Sequence, residues 1–426
     1  MRVTKKSEIT PSLVAKKVVG RLKRYTSKIW RKVFSERIYG YILIYLFYNN
    51  SKILWREKKR IYENDKINFL DSANRILIIF SKRHFDPLAD SKHRPLSASS
   101  VANWARNIYQ LCKERNKEIV YIDQHEDYQN LGKFDLIISI VCRNFIKYAK
   151  DNQQAKKVLF LVNSHPLYRL AATIKQAVYY RKKLPYSEFI SPILFLKSNL
   201  MADKHILVGN QFVKNSYLKY GIPEKKIKLI NGGTNWENLV PKRELYPFGK
   251  IRICYVASDM GIRKGLFRVM ELWEQLNQSY NNKIELFMLG GTSSFSKEIK
   301  KFTEKYNNVK CWGWVDSTDI IYKTILQSSQ IMLNLPVEEG QVGCGLEGMA
   351  CGCIPVFTEE TGIPIIDSMQ GILIKAGSFD AGMVAQNMIK LMNNQQLMET
   401  MSLAAREYIV QNHNWESFRN NLIGSL

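Results

Sequence analysis

Long apolar runs are scarce in this sequence. The first, Ile38 to Tyr48, has eleven residues, and a helix that crosses a bilayer needs about 20. No small-residue cleavage site follows it, so a secretory leader is not expected. The cysteines number seven, at 112, 142, 254, 311, 344, 351 and 353. An odd count without a leader suits a reducing, cytoplasmic compartment and argues against a disulfide scaffold. Cys351-Gly352-Cys353 is too tightly spaced for a structural zinc site, and no histidine follows at ligand distance. Internal repeats and low-complexity tracts are absent. With 46% hydrophobic and 24% charged residues in 426, the composition excludes wholesale disorder and suits two to three globular domains.

Acidic residues are also few: 38 Asp and Glu face 63 Lys and Arg, a net charge of +25. Such an excess points to an anionic partner: nucleic acid, a membrane surface or a phosphorylated substrate. The excess is uneven. Residues 1–60 hold 17 basic and 3 acidic side chains, whereas residues 326–426 hold 4 and 10. From Leu13 to Ile38, Val14, Val18, Leu22, Tyr25, Ile29 and Val33 recur at helical spacing, with Lys and Arg on the other faces. A basic amphipathic helix of this kind can lie among lipid headgroups. The segment 12–60 is therefore expected to meet an anionic membrane surface at the inner face of the membrane, as a peripheral anchor. A helix docked on its own protein, with a solvated basic face, is the plainer alternative. No nucleic-acid motif accompanies the charge, so a nucleic-acid partner is not expected.

The body of the chain alternates short apolar runs with amphipathic segments. Strands are predicted over 75–80, 118–123, 134–140, 157–162, 204–208 and 226–230, with helices over 97–116, 168–181 and 211–220. A second series follows, with strands over 251–257, 284–289, 309–312, 330–335 and 354–357 and helices over 265–280, 296–306, 320–327 and from 346. Alternation of this kind implies parallel sheets covered on both faces. Two series joined near Asn235 to Gly249 make two doubly wound domains, with ligands outside the carboxyl ends of the strands.

The stretch from Asn334 to Pro355 carries the chemistry. Glu339 follows a predicted strand and Glu347 opens a helix, with Gly340, Gly343 and Gly345 between them. Glycines let backbone N–H groups approach an anion closely, and a helix N-terminus favours its charge. Flanking carboxylates can accept hydrogen bonds from sugar hydroxyls. Loop and carboxylates together suit a phosphorylated sugar, although two helix-end glutamates alone could be merely solvated.

This stretch resembles the E-x7-E signature of retaining GT-B glycosyltransferases, specifically glycosyltransferase family 4. Glu339-Gly340 and the run from Leu346-Glu347 through Ala350-Cys351-Gly352 to Val356 carry the likeness. Arg263-Lys264-Gly265 resembles the family's basic phosphate-contacting loop, and Val309 to Val315 the segment ahead of the signature. Phe212 to Gly233 and Asn414-Trp415-Glu416 are similar too. The resemblance is good over about residues 200–420 and looser over 70–200. It implies an α/β, GT-B fold of two Rossmann-like domains facing across a cleft, behind a basic helical extension. The expected divisions are an extension over 1–65, an acceptor-side domain over 66–240, a nucleotide-sugar-binding domain over 241–410, and a helix over 411–426 crossing back.

Roles follow by resemblance. Glu347 would bind the ribose hydroxyls, and Glu339 the donor sugar. Lys264, with Arg263, would neutralise the diphosphate as it leaves, where charge builds up. Gly340, Val342, Gly343, Cys344, Gly345 and Leu346 would line the donor. His165, just after a predicted strand, would face the transferred sugar; capping the following helix is its plain alternative. The substrates implied are a nucleotide diphosphate sugar and a glycan or lipid-linked acceptor of cell-surface polysaccharide synthesis. A front-face attack, with the departing phosphate taking the acceptor proton, is implied over a double displacement. No Asp-x-Asp motif stands out, so neither metal nor other cofactor is expected.

The sequence departs from the family in two places. The Arg usual a few residues before the Lys is missing, leaving Arg263 or Arg268 to supply the second positive charge. The first βα loop, Ser81 to Pro87, has no glycine, so Lys82 or Arg83 would act there. These departures favour one alternative, a degenerate, non-catalytic GT-B protein that binds glycan. The other alternative is a second kind of GT-B enzyme, a nucleotide-sugar epimerase, against which the motif set argues.

Overall fold

A computed structural model describes residues 68–82, 100–182, 191–240 and 250–426. The basic segment 12–60, the extension 1–65 and Arg83 lie outside the described residues. The first described element is a single helical turn, α1 (Phe69–Ser72), opened by the Asn68 side chain. Strand β1 (Arg75–Phe80) follows, then α2 (Ser100–Glu114), β2 (Glu118–Asp123), β3 (Leu136–Ile140), α3 (Arg143–Asp151) and β4 (Lys156–Leu161). Next come α4 (Pro166–Tyr179), α5 (Ser191–Met201), β5 (Lys204–Val208), α6 (Gln211–Lys219) and β6 (Ile227–Ile230). The second series is β7 (Ile251–Asp259), α7 (Leu266–Tyr280), β8 (Ile284–Gly291), α8 (Ser296–Lys305), β9 (Val309–Gly313), α9 (Ile320–Ser328), β10 (Ile331–Asn334) and α10 (Gly343–Ala350). It ends with β11 (Ile354–Thr358), β12 (Ile372–Ile374), α11 (Ala381–Met392), α12 (Gln395–Asn412) and α13 (Trp415–Ile423).

The strands form two six-stranded sheets, ordered β2-β1-β3-β4-β5-β6 and β12-β11-β10-β7-β8-β9. Every pairing is parallel. Both faces of each sheet are buried, which explains why the strands read as unbroken apolar runs. In β1, Ile76, Ile78 and Phe80 enter one cluster and Leu77 and Ile79 the other. In β7, Ile253 and Tyr255 point to one core and Cys254 and Val256 to its opposite. This is the two-domain Rossmann-like architecture of the GT-B fold.

Helix starts follow capping chemistry. Asn210, Asp380, Asn394 and Asn414 each accept a hydrogen bond from a first-turn amide of α6, α11, α12 and α13, satisfying donors that the helix leaves unpaired. The last helix belongs to the first core. Phe418, Leu422 and Leu426 sit in the cluster beneath β1 and α2, and the Leu426 carbonyl accepts from the Phe69 and Leu70 amides. Trp415 donates from its indole to Asn235 at 2.7 Å. Its ring also lies against Gly233, where a Cβ would come within 2.6 Å.

Candidate active site

The order of the second sheet reverses between β7 and β10. They are direct neighbours, with Ile331 opposite Ile253 and Leu333 opposite Tyr255. Loops leaving their carboxyl ends must diverge to opposite faces, which opens the crevice that open α/β sheets use for ligands. Both loops carry the signature residues. After β7 the chain turns through Met260–Lys264 into α7, with Gly265 in the left-handed region at φ 80°. A Cβ on Gly265 would lie 2.0 Å from the Leu335 carbonyl, so only glycine lets the exit of β10 press on this turn. The two loops are then stitched together. The Val337 amide donates to the Arg263 carbonyl at 2.9 Å, and the Tyr255 hydroxyl to the Lys264 carbonyl at 3.0 Å. Arg268 donates to the carbonyls of Leu335 and Pro336.

This stitching separates the two arginines. Arg268 is buried beneath the loop and spent on its backbone. Arg263 stands beside Lys264, and both reach the same oxygen, Oε1 of Glu339; the Arg263 contact is 2.6 Å. Burial alone would push the Glu339 carboxyl up, but the Lys264 ammonium and the Arg263 guanidinium outweigh it and hold the carboxyl below its ordinary value.

Glu347 sits in α10, half-buried, and accepts a hydrogen bond from the Tyr322 hydroxyl of α9. Among the described residues it has no comparable cation. Burial pushes its carboxyl up to about 7, against the lowering effect of Tyr322.

Between the two glutamates the residues divide by what they offer. Val342 is the N-cap of α10, and its carbonyl takes the Gly345 and Leu346 amides at 3.1 and 3.3 Å. The Leu346 side chain is in the core, and a Cβ on Gly345 would meet Ile363 at 2.7 Å. Gly345 and Leu346 therefore serve packing and turn closure. Gly343 and Cys344 form the first turn, where amides precede the first intrahelical bonds; the Cys344 thiol donates to the Val256 carbonyl. Gly340 has another task. A Cβ there would lie 2.1 Å from the Val162 carbonyl at the end of β4, so the loop bearing Glu339 touches the first domain backbone to backbone.

His165 follows β4, as the sequence implies, but its side chain takes the plainer of the two roles and caps the following helix instead of facing the cleft. It is the N-cap of α4, its Nδ1 accepting from the Leu167 amide at 3.2 Å, and only 1% of it is exposed. Its ring stacks on Tyr220 with centroids 4.5 Å apart and meets Phe195 and Tyr217 edge-on. Burial, with His205 nearby, pushes its pKa down to about 3. The physical reason is local. Pro166 opens the helix with no N–H to satisfy, and the imidazole turns inward to cap Leu167. Lys82 likewise faces its own domain, bonded to Glu126 at 3.0 Å.

Other residues join the site without having been singled out. Glu338, fully buried, accepts the Ser164 amide on Oε1 at 2.8 Å. Its Oε2 lies 3.8 Å from Arg169 of α4 and 3.8 Å from Arg263. The Ser164 hydroxyl donates to the Glu339 carbonyl at 2.8 Å. Tyr322 is the fourth. The only sequence signal for Glu338 was a second charge following an apolar strand; Ser164, Arg169 and Tyr322 are brought in by tertiary folding. Among the described residues, no group of three or more His, Cys, Asp or Glu is placed to hold a metal ion, and no helix is long and apolar enough to cross a membrane.

Comparison with known proteins agrees with this fold. Residues 250–394 match the model of the family described as glycosyl transferases group 1. An uncharacterized glycosyltransferase of Methanocaldococcus jannaschii is 24% identical over 304 residues, which cover 67% of this chain and 74% of that protein. Among solved structures, Anabaena HepE in complex with UDP and glucose superposes with a TM-score of 0.55 at 12% identity, over 82% of this chain and 98% of that one. TarM gives a TM-score of 0.52 at 15% identity over 68% of this chain. The chain spans about half the length of TarM, 54%. Fold and domain match together support a GT-B glycosyltransferase.

Proposed function

We propose that this protein is a retaining glycosyltransferase of the family 4 kind, moving a sugar from a nucleotide diphosphate sugar to a glycan or lipid-linked acceptor of a cell-surface polysaccharide. The observation that carries the reading is the meeting of Lys264, Arg263 and Glu339 at the switch point of the second sheet. Two cations on one carboxylate oxygen form a preset positive site whose partner a diphosphate can displace. As the anomeric carbon–oxygen bond breaks, the leaving diphosphate gains charge, and fixed cations stabilise that charge most. Glu339, held ionised beside them, accepts hydrogen bonds from hydroxyls of the transferred sugar. Glu347 accepts from the ribose, and the amides of Gly343 and Cys344 face the phosphates. The acceptor oxygen bonds to the face that the diphosphate leaves, and its proton passes to the departing phosphate oxygen. No metal or organic cofactor takes part in this scheme. HepE is described in complex with UDP and glucose, which supports a sugar nucleotide as the donor class.

The basic segment 12–60 holds the enzyme on the anionic inner face of the membrane, where a lipid-linked acceptor is presented. The test is transfer from a panel of nucleotide sugars to lipid-linked glycans, with the product anomer read by NMR. A retained α- or β-configuration is expected with one donor. No transfer from any donor would sink the transferase reading; inversion would sink the retaining one. Deleting residues 1–60 should abolish sedimentation with anionic liposomes, and unchanged sedimentation would refute the anchor.

A further inference from the structure

Glu338 has no part in the scheme above, yet it is the most enclosed carboxyl at the site, and burial pushes it up to about 7. None of it is exposed. A buried carboxylate is costly unless it is paired and hydrogen-bonded. Its partners come from both domains. Oε1 takes the Ser164 amide from the turn between β4 and α4 at 2.8 Å. Oε2 faces Arg169 of α4 and Arg263 of the β7–α7 turn, each at 3.8 Å. The Ser164 hydroxyl and amide reach one residue further, to the Glu339 carbonyl at 2.8 and 3.2 Å. Next along, Gly340 lies against the Val162 carbonyl with no room for a Cβ. Three consecutive residues of the donor loop are thus gripped by the first domain.

Helix α4 extends this grip. At its far end the Tyr180 hydroxyl donates to Glu271 of α7 at 2.7 Å, Tyr180 stacks on Phe267, and Lys182 pairs with Glu298 of α8 at 2.7 Å. The helix therefore crosses from one domain to the other, with the Glu338 contact at its start and an aromatic and ionic contact at its end. A shift of the first domain must move Ser164 and Arg169 and, through them, the backbone of Glu339 and the guanidinium of Arg263.

We propose that Glu338 is a positioning residue for sugar transfer. It bridges Arg169 of the first domain and Arg263 of the second, fixing the Glu339 carboxylate and the Arg263 guanidinium in the geometry that transfer needs when the domains are together. This rests on the transferase reading. Glu338 touches neither ribose nor phosphate in that reading and reaches the diphosphate only through Arg263, so its loss should lower kcat by more than it lowers nucleotide affinity.

The test compares Glu338→Gln, Glu338→Ala and Arg169→Ala with the wild-type full chain. Gln keeps an oxygen for the Ser164 amide and removes the ionisable carboxyl. Misplacement of a reacting group by about 1 Å costs on the order of 10²-fold. A kcat loss of about that size is expected for Glu338→Ala, a smaller one for Glu338→Gln, and for Arg169→Ala a loss between them. Affinity for the nucleoside diphosphate released from the active donor, read by calorimetry, should fall by a clearly smaller factor than kcat. An unchanged kcat in Arg169→Ala and Glu338→Gln overturns the proposal. So does an equal loss of kcat and nucleotide affinity, which would mark a donor contact or a damaged fold. A wild type that turns over no sugar nucleotide defeats the transferase reading instead. The bridge is then read by small-angle scattering: the variants should have a larger radius of gyration than the wild type, and an equal radius overturns it.

Discussion

Glu339 and Glu347 belong to one signature, eight positions apart, and the fold gives them opposite chemistry. Glu339 leaves β10 and meets two cations on one oxygen. Glu347 lies in α10 and meets a phenol. Both are drawn out of water. For Glu339 the cations outweigh burial and the carboxyl stays low; for Glu347 burial wins and the carboxyl rises to about 7. A motif fixes which residue types stand at which spacing, whereas the charge state of each is set by neighbours from other elements. One glutamate is a fixed anion within a charge cluster. The other is an acceptor whose strength depends on pH.

The strongest way to break this comparison is to remove its cation. Lys264→Ala should lower kcat/KM by about 10²- to 10³-fold, the scale on which loss of one charge-stabilising donor is felt. Arg263 stays on Glu339 at 2.6 Å, so the loop keeps an ion pair and the variant should still fold. Transfer kinetics beside a melting curve decide the matter: near-normal kcat/KM would remove Lys264 from the leaving-group site.

The pH behaviour of Glu347 gives a smaller and sharper effect. Its carboxyl titrates near 4.5 in the unfolded chain and near 7 in the fold. The folded state therefore favours the protonated form, and the contribution of this group to stability falls as pH rises from about 4.5 to 7, then levels off. Glu347→Gln should gain in melting temperature relative to the wild type over that window. Donor affinity runs the other way, because the ionised carboxylate is the better acceptor for ribose hydroxyls. The donor KM should fall by about tenfold as pH rises through 7, the worth of a hydrogen bond to a charged group. Tyr322→Phe removes the hydrogen bond that lowers this carboxyl, so the midpoint of the KM profile should move to higher pH. An unmoved midpoint would show that Tyr322 does not govern Glu347.

The strands of both domains are legible in the sequence except β12, whereas helices are missed in each, α3 and α5 in the first and α11 and α12 in the second. In β7, β8 and β10 burial on both faces writes an unbroken apolar run, and Gly265, Gly290 and Gly340 sit where backbones nearly touch. Those features are local in the chain. Helix α3 escaped notice: it has nine residues, polar and charged on one side, and its Asn144 is buried on the carbonyls of Asp123 and Glu126. Helix α5 shows little one-sided patterning because apolar residues surround much of it. Strand β12 has three residues, too few to show a period. At the site, Lys264, Arg263, Glu339 and Glu347 were legible because their spacing is local. Glu338's role was not, since Ser164 and Arg169 lie more than a hundred residues away in the other domain. The choice between Arg263 and Arg268 needed the loop path, which buries one and leaves the other beside Lys264.

The smallest effect on activity is expected at the residue the sequence placed in the cleft and the fold took out of it. For His165 to reach a sugar, the ring must leave Tyr220, Phe195 and Tyr217 and release the Leu167 amide. That amide belongs to the first turn of α4, the helix that carries Arg169, so the excursion would also loosen the helix start. With its pKa pushed down to about 3, the imidazole stays neutral at physiological pH and brings no charge to the diphosphate. Its ordered ring and cap serve the shape of the first domain. Asn is an equally good N-cap but leaves space among the three rings, so His165→Asn should cost roughly 1–3 kcal/mol of stability. Its kcat/KM, measured well below the melting transition, should change less than about threefold. A loss of about 10²-fold at unchanged melting temperature would mean that His165 leaves its cap during turnover and acts on the sugar.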